Sequence, residues 1–235
     1  MVAHLFFNDT MPVEAIVKFL AENKIIASFD IMYDGFDQYR KFIYDNYNHG
    51  YNYSSIHPED ERLLYALSKI LQPKNAFIAG AYYGYFAVWL MKSISEKGGM
   101  CVLSDINREA CKLAEYNFKK LGLAGFSKIM CEDAIQLLSV RKEPIDFILL
   151  DAMGKWNDPR PEYRGKQIYV PILKAAGPLL AKGSAIVMHN VRPYDFETET
   201  GRRQGRESLI EVLRAINVIG ICYDSYNGLG VFIKN

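Results

Sequence analysis

Five apolar runs in this chain each hand over to residues that can do chemistry. Gly80 and Gly84 follow residues 76–79, Asp105 follows 100–104 and Asp133 comes just after 128–131; Asp151 follows 145–150, and His189 with Asn190 follows 185–188. Two glycines at a strand-to-helix turn let the backbone come close to a ligand, and the helix that opens near Tyr85 offers free N–H groups and a positive dipole end. An acid at the end of a second strand accepts hydrogen bonds from vicinal hydroxyls, so Asp105 is placed to hold a ribose. The plain structural alternative is that Asp105 caps the helix starting near Asn107. Asp133 precedes Ala134-Ile135-Gln136-Leu137-Leu138 and reads as the cap of that helix, as a partner for an adenine amino group, or as both. His189, with an ordinary pKa of about 6.5, suits direct removal of a proton near neutral pH.

These residues meet only if the runs are parallel strands whose carboxyl ends share one rim. Each run is followed by a helical segment or a polar turn, and such alternation predicts an α/β fold with helices on both faces of the sheet. Residues 218–223 and 230–233 break the alternation. They are β-like runs around an Asn227-Gly228 turn signal, which predicts a closing antiparallel hairpin. Upstream, residues 12–24 place Val13, Ile16, Val17 and Leu20 on one helical face, residues 37–45 form a second helical patch, and residues 46–55 read as a loop. His57-Pro58-Glu59-Asp60-Glu61 opens a further helix with acids in its first turn and Leu63, Leu64, Leu67 and Leu71 as its stripe. We divide the chain into a helical extension over 1–56, serving as cap, lid or dimer contact, and a main domain over 57–235.

The 235 residues are 50% apolar and 23% charged, with a net charge of +1. That balance provides no basic field for nucleic acid or an anionic membrane, and favours a small-molecule acceptor. The longest apolar run, residues 76–91, is too short to span a bilayer. No basic segment precedes an apolar stretch at the start, and Cys101, Cys111, Cys131 and Cys222 form no C-x-x-C pair; both features predict a cytoplasmic protein with free thiols.

The glycine spacing narrows the ligand. G-x-x-x-G lacks the G-x-G-x-x-G of dinucleotide folds, and no Lys-Ser/Thr follows it, so no pyrophosphate cradle is predicted. A nucleoside cofactor without pyrophosphate fits better, and S-adenosylmethionine is the candidate. Tyr47, Tyr51 and Tyr53 before the first motif, and Tyr194 and Phe196 in the segment 192–206, would give an acceptor pocket aromatic walls.

Taken together, these motifs resemble those of catechol O-methyltransferase and its bacterial and plant relatives, the caffeoyl-CoA O-methyltransferase-like group of class I methyltransferases. Gly80-Ala81-Tyr82-Tyr83-Gly84-Tyr85-Phe86-Ala87-Val88 resembles the first motif, Asp105-Ile106-Asn107 the ribose-binding acid, and Glu132-Asp133-Ala134 the adenine-side motif. The run 145–151 resembles the strand ending in a metal-binding Asp, and the order holds over residues 57–234. The resemblance implies a Rossmann-like, seven-stranded, mostly parallel sheet with the hairpin at its end. It implies that Gly80, Tyr82, Gly84, Tyr85, Asp105, Ile106, Asp133, Ala134 and Asp151 hold S-adenosylmethionine. It further implies a divalent cation such as magnesium on Asp151, His189 and Asn190, with Lys155 as base; His189 stands where the family has Asp, and Lys155 lies four residues after Asp151 rather than three. Two arrangements therefore stand open: metal with Lys155, or His189 alone. The rivals are a nicotinamide-dependent dehydrogenase and a noncatalytic module that keeps the fold for binding or dimerisation; beside the small-molecule acceptor, the partner expected is a second copy of the chain in a homodimer.

Overall fold

Ile145-Asp146-Phe147-Ile148-Leu149-Leu150 is apolar on nearly every residue, the pattern of a strand covered on both faces. The computed structural model describes residues 13–28, 35–51, 56–191, 202–223 and 227–235, and it makes this run the centre of a seven-stranded sheet. In chain order the elements are α1 (Val13–Glu22), α2 (Phe36–Asn46), α3 (Pro58–Leu71), β1 (Asn75–Ala79), α4 (Tyr85–Glu96), β2 (Met100–Ser104) and α5 (Arg108–Lys120). There follow β3 (Ser127–Met130), α6 (Ala134–Val140), β4 (Ile145–Leu150), α7 (Tyr169–Ala176), β5 (Leu180–His189), α8 (Arg202–Ile216), β6 (Val218–Tyr223) and β7 (Leu229–Lys234). The strand order is β3-β2-β1-β4-β5-β7-β6. The first five strands pair in parallel, and β7 runs antiparallel to both β5 and β6. The expected parallel sheet with a closing hairpin is therefore the fold.

Side chains alternate across each strand and so feed two cores. Ile78, Phe147, Leu149 and Val187 face a cluster that includes Leu20 of α1, Ile43 of α2, Leu64 of α3, Trp89 of α4 and Phe118 of α5. Phe77, Ile148, Leu150 and Met188 face the other, with Leu173 of α7 and Leu213 of α8. The helices of the N-terminal segment thus share a core with the sheet's first face.

Local signals set several boundaries. His57 stands as the N-cap of α3, Pro58 takes the first helical position where its missing N–H is harmless, and Gln72 closes the helix in a left-handed turn before Pro73. The largest difference from the sequence expectation is β5, which begins at Leu180 rather than 185. Its early residues Ala181, Lys182 and Gly183 are exposed, so they carry no apolar alternation, yet Leu180 still pairs with Ile145 across a register irregularity. Likewise β3 ends at Met130, and Cys131 is exposed beyond it.

One buried carboxylate ties the helices together beneath the first glycine motif. Glu61 of α3, with its side chain 2% exposed, accepts from Tyr85 Oη at 2.6 Å, from Tyr44 Oη at 2.9 Å and from Arg40 Nε at 3.1 Å. Burial pushes its carboxyl up, and the two hydroxyls and the guanidinium only partly oppose that rise. A raised folded-state pKa means that the native protein binds this proton more tightly than the unfolded chain. The stability carried by Glu61 is then full below its ordinary value of 4.5 and declines as pH rises through the folded value. Glu61→Gln, which mimics the protonated form, should match the wild type in acid and gain on it as pH rises above 4.5. Thermal unfolding across that range checks this; a wild type that gains on the variant with rising pH contradicts it.

Candidate active site

The strand order reverses between β1 and β4, because the chain runs outward through β2 and β3 and returns to the other side of β1. In such sheets the crevice at the carboxyl ends of the two central strands takes the ligand. Here the two ends are drawn together. Asp151 N–H donates to Ala79 O at 2.8 Å, and the N–H groups of Gly80 and Ala81 both donate to Ser104 O of β2, at 2.9 and 3.0 Å. Gly80 has φ +80°, and a Cβ there would run into the backbone of Asp151 and Ala152. No other residue type allows this approach.

The loop that follows is held by Asp105. Tyr82 takes the left-handed conformation at φ 47°, and its N–H donates to Asp105 Oδ2 at 2.8 Å. Its ring stacks on Tyr83 with centroids 3.8 Å apart, and the two hydroxyls are 2.9 Å apart. Gly84, at φ 87°, then caps α4 with its missing Cβ against the Phe118 ring. The other Asp105 oxygen accepts from Asn107 N–H at 2.9 Å. The cap of α5 is Asn107 itself, whose Oδ1 accepts from Glu109 and Ala110. Asp105 is therefore not that helix's cap but the latch of the glycine loop. Asp133 does cap α6: its Oδ1 accepts from Ile135 N–H at 2.8 Å and Gln136 N–H at 3.1 Å.

Two adjoining hollows open on this rim. A cavity of about 90 Å³ lies between Asp105, Asp133, Ile106, Ile135, Ile168 and Ile172, with Gly80 and Ala134 at its wall. A wider cleft of about 400 Å³ lies beside it, bounded by Tyr82, Phe86, Met153, Asp151, Lys166 and Asn190. Gly80, Asp105, Ala152 and Met153 border both. At their lips Ile106 and Met153 stand 66% and 59% exposed, a large apolar surface left in water.

The charged centre of the wider cleft is Asp151. Its Oδ1 accepts from Lys166 Nζ at 2.8 Å and lies 3.1 Å from His189 Nδ1. Burial alone would raise this carboxyl, but the Lys166 charge and then the His189 ring outweigh it and hold it down to about 2. The imidazole lies against Phe86, with centroids 4.7 Å apart, and its Nε2 is buried with no hydrogen-bond partner among the described residues. A carboxylate can only accept, so Nδ1 carries a proton in this contact.

The residues present do not fit the magnesium that the motifs imply. Magnesium wants oxygen ligands in near-octahedral array. Of the three residues expected to hold it, Asp151 already carries a protein cation and His189 turns a donor toward it, while Asn190, at φ 54°, borders the cleft. No group of three or more His, Cys, Asp or Glu among the described residues is arranged for a metal.

Lys155 is exposed in the loop after β4 and borders neither hollow. The amine on Asp151 comes instead from Lys166, fifteen residues further on. That loop folds back because Gly154 and Gly165 exchange backbone hydrogen bonds, at 2.9 and 3.2 Å. Gly154 and Gly165 bracketing a polar, proline-containing stretch were the signal in the sequence for such a closure. Tyr85 points its hydroxyl at Glu61 rather than into either hollow. Tyr47 is buried, donating to Tyr83 O, and Tyr51 is exposed at a separate hollow with Leu113 and Tyr116. Tyr53, Tyr194 and Phe196 lie outside the described residues. Among the described residues no helix is long and apolar enough to cross a membrane.

Known proteins agree with this architecture. A catechol O-methyltransferase of Niastella koreensis is 28% identical over 102 residues, which are 42% of this chain and 46% of that protein; the match thus spans less than half of the relative's length. Among solved structures, the O-methyltransferase from Bacillus cereus in complex with SAH has a TM-score of 0.63 at 20% identity, covering 94% of this chain and 97% of that one. The O-methyltransferase TomG from Streptomyces achromogenes, involved in tomaymycin synthesis and solved with SAM, has a TM-score of 0.63 at 14% identity, with 94% and 96% covered. At these identities the structural likeness speaks for the fold. The family described as O-methyltransferase matches residues 17–219, nearly the whole of both cores and every strand end that borders the cleft. This chain belongs to the O-methyltransferase family.

Proposed function

We propose that this chain transfers a methyl group from S-adenosylmethionine to a hydroxyl oxygen of a small aromatic acceptor. The observation that carries the reading is the pair of hollows, one with four isoleucines beside Asp105 and Asp133 and one with the Asp151–Lys166 pair, joined across Gly80 and Asp105 at the switch point of the sheet. The smaller hollow has the chemistry for an adenosine. Ile106, Ile135, Ile168 and Ile172 offer apolar faces to a planar base, and Asp133 lies at the edge where an amino group would sit. Each Asp105 oxygen accepts one backbone hydrogen bond, which leaves lone pairs for the two ribose hydroxyls.

When bound, S-adenosylmethionine supplies a methyl group activated on a positively charged sulfur. The chain's own task is to fix the acceptor oxygen in line with that carbon and to favour its deprotonated form. Tyr82, Phe86, Ile56 and Met153 wall the wider cleft, and such faces suit a planar phenol. Asp151 and Lys166 are its charged pair. His189 has Nδ1 on Asp151 and Nε2 enclosed, so in this reading it positions Asp151 rather than taking the acceptor's proton.

Calorimetric titration of S-adenosylhomocysteine tests the cofactor half. The wild type should bind; Asp105→Ala should bind at least about 10-fold more weakly, because hydrogen bonds to a charged group are lost together with the loop latch. Ile106→Glu, which puts a charge on the apolar lip, should weaken binding by about 10-fold as well. A silent wild type overturns the cofactor assignment, and equal binding by Asp105→Ala removes the ribose role. Transfer of a labelled methyl group to a panel of phenol, catechol and dihydroxybenzoate tests the acceptor half.

A further inference from the structure

The carboxylate at the end of β4 already holds a cation, and the chain supplies it. Lys166 Nζ lies 2.8 Å from Asp151 Oδ1 and 3.1 Å from the carbonyl oxygen of the same residue, so the ammonium bridges side chain and main chain. The Lys166 side chain is only 4% exposed, yet it borders the wider cleft together with Asp151 and Asn190. An ammonium has three N–H donors. Two are spent on Asp151, which leaves one beyond that residue, with the Tyr169 ring centroid 5.3 Å from Nζ. The position is firmly built: Gly154 and Gly165 pin the loop, and Lys166 opens the short turn Lys166–Ile168 that runs directly into α7. The same Oδ1 lies 3.1 Å from His189 Nδ1, and the His189 ring packs against Phe86.

From this arrangement we infer that the Lys166 ammonium takes the place of a divalent cation: seated on Asp151, it receives the acceptor oxygen, and methyl transfer proceeds without a metal. The inference rests on the methyl-transfer reading given above. A fixed positive charge beside a hydroxyl favours its ionised form and holds the resulting oxygen in place, which is the service a Lewis-acidic metal performs in other sites. A magnesium ion on the same Oδ1 would have to sit against an ammonium 2.8 Å from that atom. The hydroxyl proton leaves to solvent water; the oxygen lone pair then forms the C–O bond as the C–S bond breaks, and the sulfonium becomes a neutral thioether. Lys166 keeps all its protons throughout.

Manganese titration followed by electron paramagnetic resonance tests this on the full chain without any acceptor. The free-ion signal should stay undiminished with the wild type and with Lys166→Arg, which keeps the charge. It should fall with Lys166→Met, which keeps the bulk of the side chain and removes the cation from Asp151. Stoichiometric manganese binding by the wild type overturns the inference, and so does a folded Lys166→Met protein as silent as the wild type. With the phenol panel, wild-type turnover should be unchanged by EDTA, and Lys166→Met should lose about 100-fold in kcat, the scale of one oxyanion-stabilising donor. Loss of wild-type turnover in EDTA, restored by magnesium, also overturns it. A wild type that binds S-adenosylhomocysteine but methylates no phenol counts against the acceptor assignment alone, since the manganese readout needs no turnover.

Discussion

Everything at the carboxyl edge depends on how closely the ends of β1 and β4 approach. At Gly80 the main chain turns against the backbone of Asp151 and Ala152, with no room for a side chain between them. That contact sets the floor shared by the two hollows and fixes the distance between the Asp105 side and the Asp151 side of the rim. Because Asp151 N–H is itself bonded to Ala79 O, the residue bearing the charged centre is registered to β1 through the ladder and not through a flexible loop. Precision at the site is thus a property of the sheet.

Two aspartates at that edge do different work because their partners differ. Asp105 meets neutral backbone N–H groups from Tyr82 and Asn107, so it shapes a loop and keeps capacity for a ligand's hydroxyls. Asp151 meets a lysine and a histidine, so its charge is paired inside the protein. Burying a single ion is costly, while a paired and hydrogen-bonded one is tolerated. The His189–Asp151–Lys166 group satisfies that condition at Asp151 Oδ1, and among the described residues its one buried atom without a hydrogen-bond partner is His189 Nε2.

The strands, their parallel order and the terminal hairpin were legible because burial on two faces leaves a continuous apolar run, and Asn-Gly marks a turn. The helix at Pro58 was legible because capping chemistry is local. The start of β5 was not, since exposed Ala181, Lys182 and Gly183 carry no alternation. At the site, the strand-end residues followed from topology, but the partner of each did not. Lys155 lies near Asp151 in sequence and is exposed; Lys166 lies fifteen residues away and touches it. Only the folding-back of the loop brings it there, and loop closure writes no periodic pattern. The direction of Tyr85 was hidden for a similar reason, because its partner Glu61 belongs to a helix twenty-four residues earlier.

Ile106 and Met153 leave most of their surface in water at the mouth of the cleft. Apolar groups covered on association lower the heat capacity of the complex relative to its parts. A flat ring that covered them would therefore bind with an enthalpy that grows more favourable on warming, the solvent released from these two side chains setting that temperature response.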